Sequence, residues 1–237
     1  INRAPAKVQS ALHEAMAESQ VTIGDASYRL PEPFFVLATQ NPIEQEGTYS
    51  LPEAELDRFL LKLLVPYPTL EEEAGIVRQA SAGSLSGSAR SEADLPLFAA
   101  QGADAQRVPS PAIASDDLER IRADVRSVRC DEALLSYLVS ITAATRPLAD
   151  PKRPGRQRDD YLKYISFGAS PRASIALAQC ARIRAFFEGR DFVIPEDIKS
   201  SAYPVLRHRL VLSYEAGADG LSADDIISKV LSVVPLP

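Results

Sequence analysis

Several residue types are scarce in this sequence, and each scarcity excludes a class of site. The chain has no Trp, two His and two Cys, and the His and Cys residues lie far apart. Neither a zinc site nor a disulfide framework is therefore indicated, and we expect Cys130 and Cys180 to be reduced core residues. Carboxylates do cluster near Glu44 and Glu53, but without a Trp platform for a sugar they do not suggest glycoside hydrolysis.

Long apolar runs and one phosphate-binding motif are also absent. No run approaches the ~20 apolar residues needed to cross a bilayer, and the chain does not open like a signal peptide. We therefore expect a cytoplasmic protein without a membrane span. The pattern G-x-x-x-x-G-K-S/T, a loop that cradles phosphate, does not occur, and there is no Gly-Lys pair.

The charges that are present are unevenly spread. The formal net charge is −6, which argues against a general nucleic-acid binder. Residues 1–80 carry 6 basic and 12 acidic groups, whereas residues 151–209 carry 12 basic and 6 acidic. This asymmetry suits attraction between subunits or capture of a small anion such as a nucleotide phosphate. On charge alone, two differently solvated surfaces are the simpler explanation.

The pattern of residues 1–80 predicts part of an α/β domain. Apolar residues at helical spacing predict a helix from Asn2 to about Ser19. A β-hairpin of Val21–Ile23 and Tyr28–Leu30 follows. The apolar run Phe34–Gln40 then predicts a buried parallel strand, and a second helix starts near Pro52.

The rest of the chain predicts a linker and an all-α domain. Residues 81–111 are rich in Ala, Ser, Gly, Pro and Asp, as linkers are, and residues 112–237 follow as a helical domain. Ser115, Ser170 and Ser222 are candidate helix caps. The predicted helices are Asp116–Val125, Glu132–Arg146, Pro171–Glu188, Pro195–Ala202 and Ala223–Val233.

Asn41 follows the predicted strand, where open α/β sheets hold their ligands. Its amide could hold a water or a phosphate oxygen. An Asn before Pro42 is also ordinary turn chemistry, so Asn41 alone does not decide between the two.

Arg58 belongs to the predicted second helix. In a helix, Leu56, Phe59, Leu60 and Leu63 would form one stripe, with Arg58 nearly opposite. The arginine would then be either a solvated partner of Glu55 or an arginine finger that reaches a nucleotide on a neighbouring subunit.

Arg172 falls in the first turn of the helix that Ser170 and Pro171 open, where the helix dipole is already positive. A guanidinium at a helix N-terminus is suited to binding phosphate. Neutralisation by Asp159 or Asp160 is the competing structural explanation. The segment Leu206–Leu210 could touch phosphate or nucleic acid through His208, but such a segment is more often an exposed basic edge with buried leucines.

Taken together, these motifs resemble the MoxR family of AAA+ ATPases. The resemblance covers most of the chain except about 80–111. It rests on Ile1–Pro5, Gln9–Leu12, Ala38–Pro42, Leu51–Phe59, Gly168–Ala173 and Gly189–Asp197.

The resemblance implies a role for each of the three polar residues. Asn41 would be sensor 1, which orients the water that attacks the γ-phosphate of ATP. Arg58 would be the arginine finger acting in trans, and Arg172 would be sensor 2 on the helical lid. The hairpin 21–30 would be a pore-facing or partner-facing insertion.

The resemblance also implies partners and missing parts. By this resemblance, a homo-oligomeric ring, a hexamer, would bind ATP and Mg²⁺ and remodel client proteins, with von Willebrand factor A domain proteins as family-type partners. The Walker A and Walker B segments, with the Mg²⁺ ligands, are absent from this chain, so we expect it to be a fragment that is inactive alone. The alternatives are a non-catalytic interaction module, using the helical domain and the hairpin, and DNA handling through the basic block.

Overall fold

The computed structural model describes residues 12, 14–16, 18–40, 52–83, 113–147 and 160–237. The chain divides into two compact units, one of residues 1–62 and 115–237 and the other of residues 63–114. The described helix of the second unit is Leu70–Gly83 (α3), which was not predicted. No helix in the described ranges combines the length and the apolar character that crossing a membrane requires. The predicted division of the chain into an α/β part (1–80), a linker (81–111) and a helical domain (112–237) stays a prediction.

The first unit begins with a helix and the predicted hairpin. Residues 12, 14–16 and 18 are helical (α1), and strands Gln20–Ile23 (β1) and Ala26–Arg29 (β2) pair antiparallel. Ile23 lies opposite Ala26, so the turn has two residues, Gly24 and Asp25, instead of the four expected. Gly24 has φ 63°, a conformation that glycine adopts without steric cost. The hairpin is confirmed, with a tighter turn.

The buried parallel strand predicted at 34–40 is wrong for the described structure. These residues form no strand, and Phe35 and Leu37 are 80% and 81% exposed. The two sheets among the described residues are β1–β2 and one in the helical domain, and neither includes this segment. A run of apolar residues becomes a strand only beside a strand that accepts its hydrogen bonds, and no described strand does so. The helix expected near Pro52 is one turn long, Glu53–Leu56 (α2).

The helical domain is confirmed, with each of its five predicted helices present. Their observed bounds are Ser115–Ser127 (α4), Glu132–Ala144 (α5), Pro171–Phe187 (α6), Pro195–Leu206 (α7) and, after a shorter helix, Ala223–Val233 (α9). The elements not predicted are short: a 3₁₀ turn Asp160–Tyr164, strands Ile165–Phe167 (β3) and Val211–Leu212 (β4), which pair antiparallel, and helix Tyr214–Ala218 (α8). The core is apolar, and its largest fully buried side chains include Ile141, Leu177, Ile198, Leu206 and Ile226.

Two of the three predicted serine caps are confirmed. The Ser170 hydroxyl accepts from the Arg172 N–H at 3.1 Å. The Ser222 hydroxyl accepts from the Asp225 N–H at 3.2 Å, and the Asp225 carboxylate accepts from the Ser222 N–H at 2.9 Å. Both serines thus satisfy N–H groups that a helix leaves free at its start. Ser115 is instead the first residue of α4.

The loop that enters α6 is fixed against the end of α5. The Ala169 N–H donates to the Thr145 hydroxyl at 3.0 Å, and Arg146 Nε donates to the Ala169 carbonyl at 2.9 Å. Gly168 passes so close that a Cβ on it would lie 2.4 Å from the Thr145 carbonyl oxygen. The position therefore requires glycine because of space, and the start of α6 is set by this contact.

The turn after α7 is buried, which corrects the exposed basic edge predicted around His208. His208 and Arg209 are only 9% and 7% exposed, while Leu206 and Leu210 are buried as expected. His208 Nε2 lies 2.8 Å from the Phe59 carbonyl oxygen, to which it donates as the neutral ring, and Nδ1 has no hydrogen-bond partner among the described residues. Burial lowers the pKa of His208 to about 4, since a second proton would lie on a buried atom without an acceptor.

We predict that Gly168→Ala destabilises the protein by about 2 kcal/mol or more, because the added methyl collides with backbone that cannot move aside. Gly217→Ala is the matched control, because a Cβ there meets nothing within 4 Å. Urea unfolding of both variants is the measurement. Equal midpoints for the two variants would contradict the close approach at Gly168.

We predict a pH-dependent stability that depends on His208. The folded state binds the proton on His208 only near pH 4, whereas an unfolded His binds it near pH 6.5, so stability falls as pH drops between those values. The loss reaches about 3 kcal/mol at most. His208→Gln retains an N–H donor for Phe59 and cannot titrate, so the stability difference between wild type and variant should shrink over that pH range in urea unfolding. A difference that does not change with pH would refute the burial of a neutral ring.

Candidate functional site

The chain turns sharply at Asp57 and Arg58, and this turn is the centre of the site. Helix α2 ends at Leu56, and Asp57 caps it, its N–H donating to the Glu53 carbonyl. The prediction that Arg58 lies on an amphipathic helix reaching Leu63 is therefore wrong. Arg58 lies in a turn, and Leu63 is 72% exposed.

Arg209 explains why the helix stops. Its Nε donates to Asp57 Oδ1 at 3.0 Å, and its Nη2 donates to the carbonyls of Asp57 and Phe59 at 3.0 and 2.6 Å. Its Nη1 donates to the carbonyls of Leu60 and Val205 at 3.2 and 2.5 Å. All five N–H donors of the guanidinium thus have an acceptor, and the side chain is 2% exposed.

Arg209 binds carbonyls that a continuing helix would use. The carbonyls of Asp57, Phe59 and Leu60 would accept from N–H groups four residues later if α2 continued. Instead they accept from a side chain of the helical domain. The sequence pattern of α2 was amphipathic, but tertiary hydrogen bonds determine the backbone here.

Asp57 links this turn to the start of α6. Its Oδ2 accepts from the Ser170 hydroxyl at 2.8 Å and lies 3.6 Å from Arg172 Nη1. The Asp57 side chain is 17% exposed, whereas the Arg172 side chain is 56% exposed. One carboxylate therefore faces the guanidinium groups of both Arg172 and Arg209, and it can neutralise only one of them.

A second set of contacts holds the end of the same segment. The Lys62 N–H donates to the Pro204 carbonyl at 2.8 Å, and the Lys62 carbonyl accepts from Arg207 Nη1 at 2.9 Å. Arg207 also binds Asp224 through two bonds of 2.7 Å each. The segment 57–62 is thus attached at both ends to the helical domain.

Arg58 itself is half-buried, and its Nε is buried without a hydrogen-bond partner among the described residues. A buried N–H of a guanidinium that lacks an acceptor is costly, so an acceptor is expected to complete it. The predicted alternatives for Arg172 were Asp159 and Asp160, and the carboxylate beside it in the structure is Asp57. Asn41 lies outside the described residues.

The sequence pattern did not indicate Asp57 and Arg209 as site residues, although they make the principal contacts of the site. Asp57 has the same local pattern as many surface acids, and Arg209 lies 152 residues away. One signal in the sequence was the pair of leucines that flank Arg207–Arg209. These leucines indicated a partly buried segment, but the residues between them were interpreted as an exposed basic edge.

The described residues were also compared with the requirements of a metal site and of a reactive thiol. Within the described ranges there is no group of three His, Cys, Asp or Glu side chains placed to hold a metal ion. Cys130 and Cys180 are free thiols, as predicted, but half-buried instead of fully buried. Burial raises the pKa of the Cys180 thiol to about 11, so it is protonated at neutral pH.

Two protein-family models match separate parts of this chain. Residues 1–61 match the family model described as ATPase family associated with various cellular activities (AAA). Residues 163–230 match the model of the AAA lid domain. The segment 57–61 belongs to the first match, whereas Arg172 and Arg209 belong to the second. The predicted α/β core followed by a helical lid is confirmed.

Two relatives carry the MoxR name. The chain is 43% identical over 237 residues to Chaperone MoxR1 of Mycobacterium tuberculosis, a match to 100% of this chain and 56% of the relative. It is 32% identical over 246 residues to Protein MoxR of Methylorubrum extorquens, a match to 100% of this chain and 65% of that protein. The chain thus spans well under two thirds of the first of these relatives.

A solved structure agrees with the fold. The crystal structure of a candidate ATPase from Cytophaga hutchinsonii superimposes with a TM-score of 0.79 at 41% identity, covering 100% of this chain and 64% of that one. The family models, the relatives and the solved structure all indicate an AAA+ ATPase. The chain belongs to the MoxR family of AAA+ ATPases.

Proposed function

We propose that the full-length protein hydrolyses ATP and that this chain completes the nucleotide site with Arg58 and Arg172. The observation that carries the proposal is Arg58 Nε, which is buried without a partner among the described residues, directly after Asp57, whose carboxylate already faces two other guanidinium groups. Arg58 thus adds a third positive charge to a part of the chain where one carboxylate faces two arginines. Such an excess of positive charge suits a polyanion such as the triphosphate of ATP.

The two arginines would have different tasks. Arg58 would donate hydrogen bonds to the transferring phosphoryl group held by a neighbouring subunit, where charge builds up during the reaction. Arg172 would bind phosphate oxygens with its guanidinium, at a helix start where the dipole is already positive. Its ion pair with Asp57 is long, and the Arg172 side chain is more than half exposed, so exchange of Asp57 for a phosphate would cost little.

The remaining groups of the site belong to the proposal as well. Asn41 would orient the attacking water as sensor 1. Mg²⁺ would neutralise phosphate charge, and the described residues offer it no ligand cluster. We place its ligands in the Walker segments of the full-length protein.

A finger acting in trans requires a head-to-tail assembly, which closes as a ring. We propose a homo-oligomeric ring of the AAA+ type, a hexamer, located in the cytoplasm. The chaperone name of the mycobacterial relative supports a role in remodelling client proteins, and proteins with von Willebrand factor A domains are the proposed clients.

The second candidate function is that of a non-catalytic interaction module. It is favoured by the hairpin β1–β2, on which Ile23 and Tyr28 are 68% and 58% exposed. Exposed apolar side chains on a short hairpin suit contact with a partner protein. In an active ring the same hairpin would contact the client.

We predict that Arg58→Ala lowers the kcat for ATP hydrolysis of the full-length protein by about 10²-fold or more, and Arg172→Ala by about tenfold or more, because each removes charge stabilisation. Arg120→Ala is the control, since Arg120 is 77% exposed and pairs only with nearby Asp117 among the described residues. Steady-state phosphate release is the measurement. Unchanged activity in both site variants would favour the interaction module.

The same assay tests action in trans. Asn41→Ala should also be inactive, but mixing it with Arg58→Ala should restore about a quarter of the interfaces, those that combine an intact Asn41 with a neighbour's intact Arg58. A double variant that carries both changes is the control and should stay inactive in any mixture. Failure of the two single variants to complement each other would argue for a finger acting within its own chain.

A further inference from the structure

The residues on both sides of Arg58 are held by one side chain. Arg209 donates to the carbonyl and the carboxylate of Asp57 and to the carbonyl of Phe59. His208 donates to the same Phe59 carbonyl. The backbone position from which Arg58 extends is therefore fixed by the turn after α7.

Arg209 cannot contact a nucleotide itself. Its side chain is 2% exposed, and all five of its N–H donors have acceptors within the chain. Any influence of Arg209 on phosphate chemistry must pass through the residues it holds. One of the residues that Arg209 holds is Asp57, and the next residue in the chain is Arg58.

The attachment extends along the whole segment. Ser170 binds the Asp57 carboxylate, and the Lys62 backbone binds Pro204 and Arg207. These partners all belong to the helical domain, whereas Arg58 belongs to the matched AAA segment 1–61. The finger is thus anchored to the lid.

We propose that Arg209 is the positioning residue for Arg58, so that the finger moves with the lid and with Arg172. The inference rests on the proposed function, because it assumes that Arg58 acts on phosphate. Without Arg209, the Asp57 carbonyl loses its side-chain donor, the Phe59 carbonyl keeps only His208, and the turn at Arg58 loosens.

The test compares two lid arginines in the full-length protein, each in a mostly buried ion pair. Arg209→Met should lower kcat for ATP hydrolysis by about 10- to 100-fold with the KM for ATP changed less than about threefold, because positioning in the transition state is lost while binding groups remain. Arg190→Met is the matched control. Arg190 makes two bonds of 2.7 and 2.8 Å to Asp197, and among the described residues its hydrogen bonds go to Phe192 and Asp197 and not to 57–62. It should lower stability like Arg209→Met but change kcat by less than about twofold.

Two additional variants keep the result interpretable. Arg209→Lys retains the charge but has fewer donors, and it should lose less kcat than Arg209→Met while remaining folded. In the Arg58→Ala background, Arg209→Met should cause almost no further loss, because the group that it positions is already gone. Additive losses, or equal kcat losses for Arg190→Met and Arg209→Met, would overturn the positioning role. Normal activity of Arg58→Ala would instead overturn the proposed function, and the inference with it.

Discussion

A guanidinium with five satisfied N–H donors and almost no solvent exposure joins the turn after α7 to the turn after α2. Burial lowers the pKa of Arg209, while Asp57 opposes that effect, so the charge remains and must stay paired. Removing one partner of a buried pair leaves an uncompensated charge, at a cost of about 3 to 5 kcal/mol for a fully buried pair. Asp57 is partly exposed, so the cost here is smaller. The ending of α2, the half-buried setting of Arg58 and the approach of Arg172 all follow from this interaction.

The same interaction explains why the site is positively charged. Asp57 accepts from Arg209 and Ser170, and it faces Arg172 at a longer distance. The tight pair with Arg209 is structural, which leaves Arg172 weakly held and Arg58 Nε without an acceptor among the described residues. Asp57 thus pairs closely with Arg209 and only weakly with Arg172.

Local signals predicted the helical lid well. Ser170 with Pro171, and Ser222 with Asp225, satisfy the N–H groups of their own helices, so the cap and the helix lie together in the sequence. The pairing of Arg209 with Asp57 spans 152 residues, and no local pattern encodes it. The helix predicted through Arg58 does not form, and the backbone carbonyls of this segment bind the distant Arg209 side chain instead. The strand predicted at 34–40 is not formed, because no described strand lies beside this segment to accept its hydrogen bonds.

Amide hydrogen exchange in the full-length protein tests most directly whether the segment 57–62 is held by the helical domain. The Lys62 N–H donates to the Pro204 carbonyl at the end of α7, five residues along the chain from the turn at Asp57. We predict that its opening free energy lies within about 1 kcal/mol of that of core amides in α7, such as Ile198. Exchange of the Lys62 amide at the rate of an unprotected amide, while α7 stays protected, would contradict the anchoring of Arg58 to the lid.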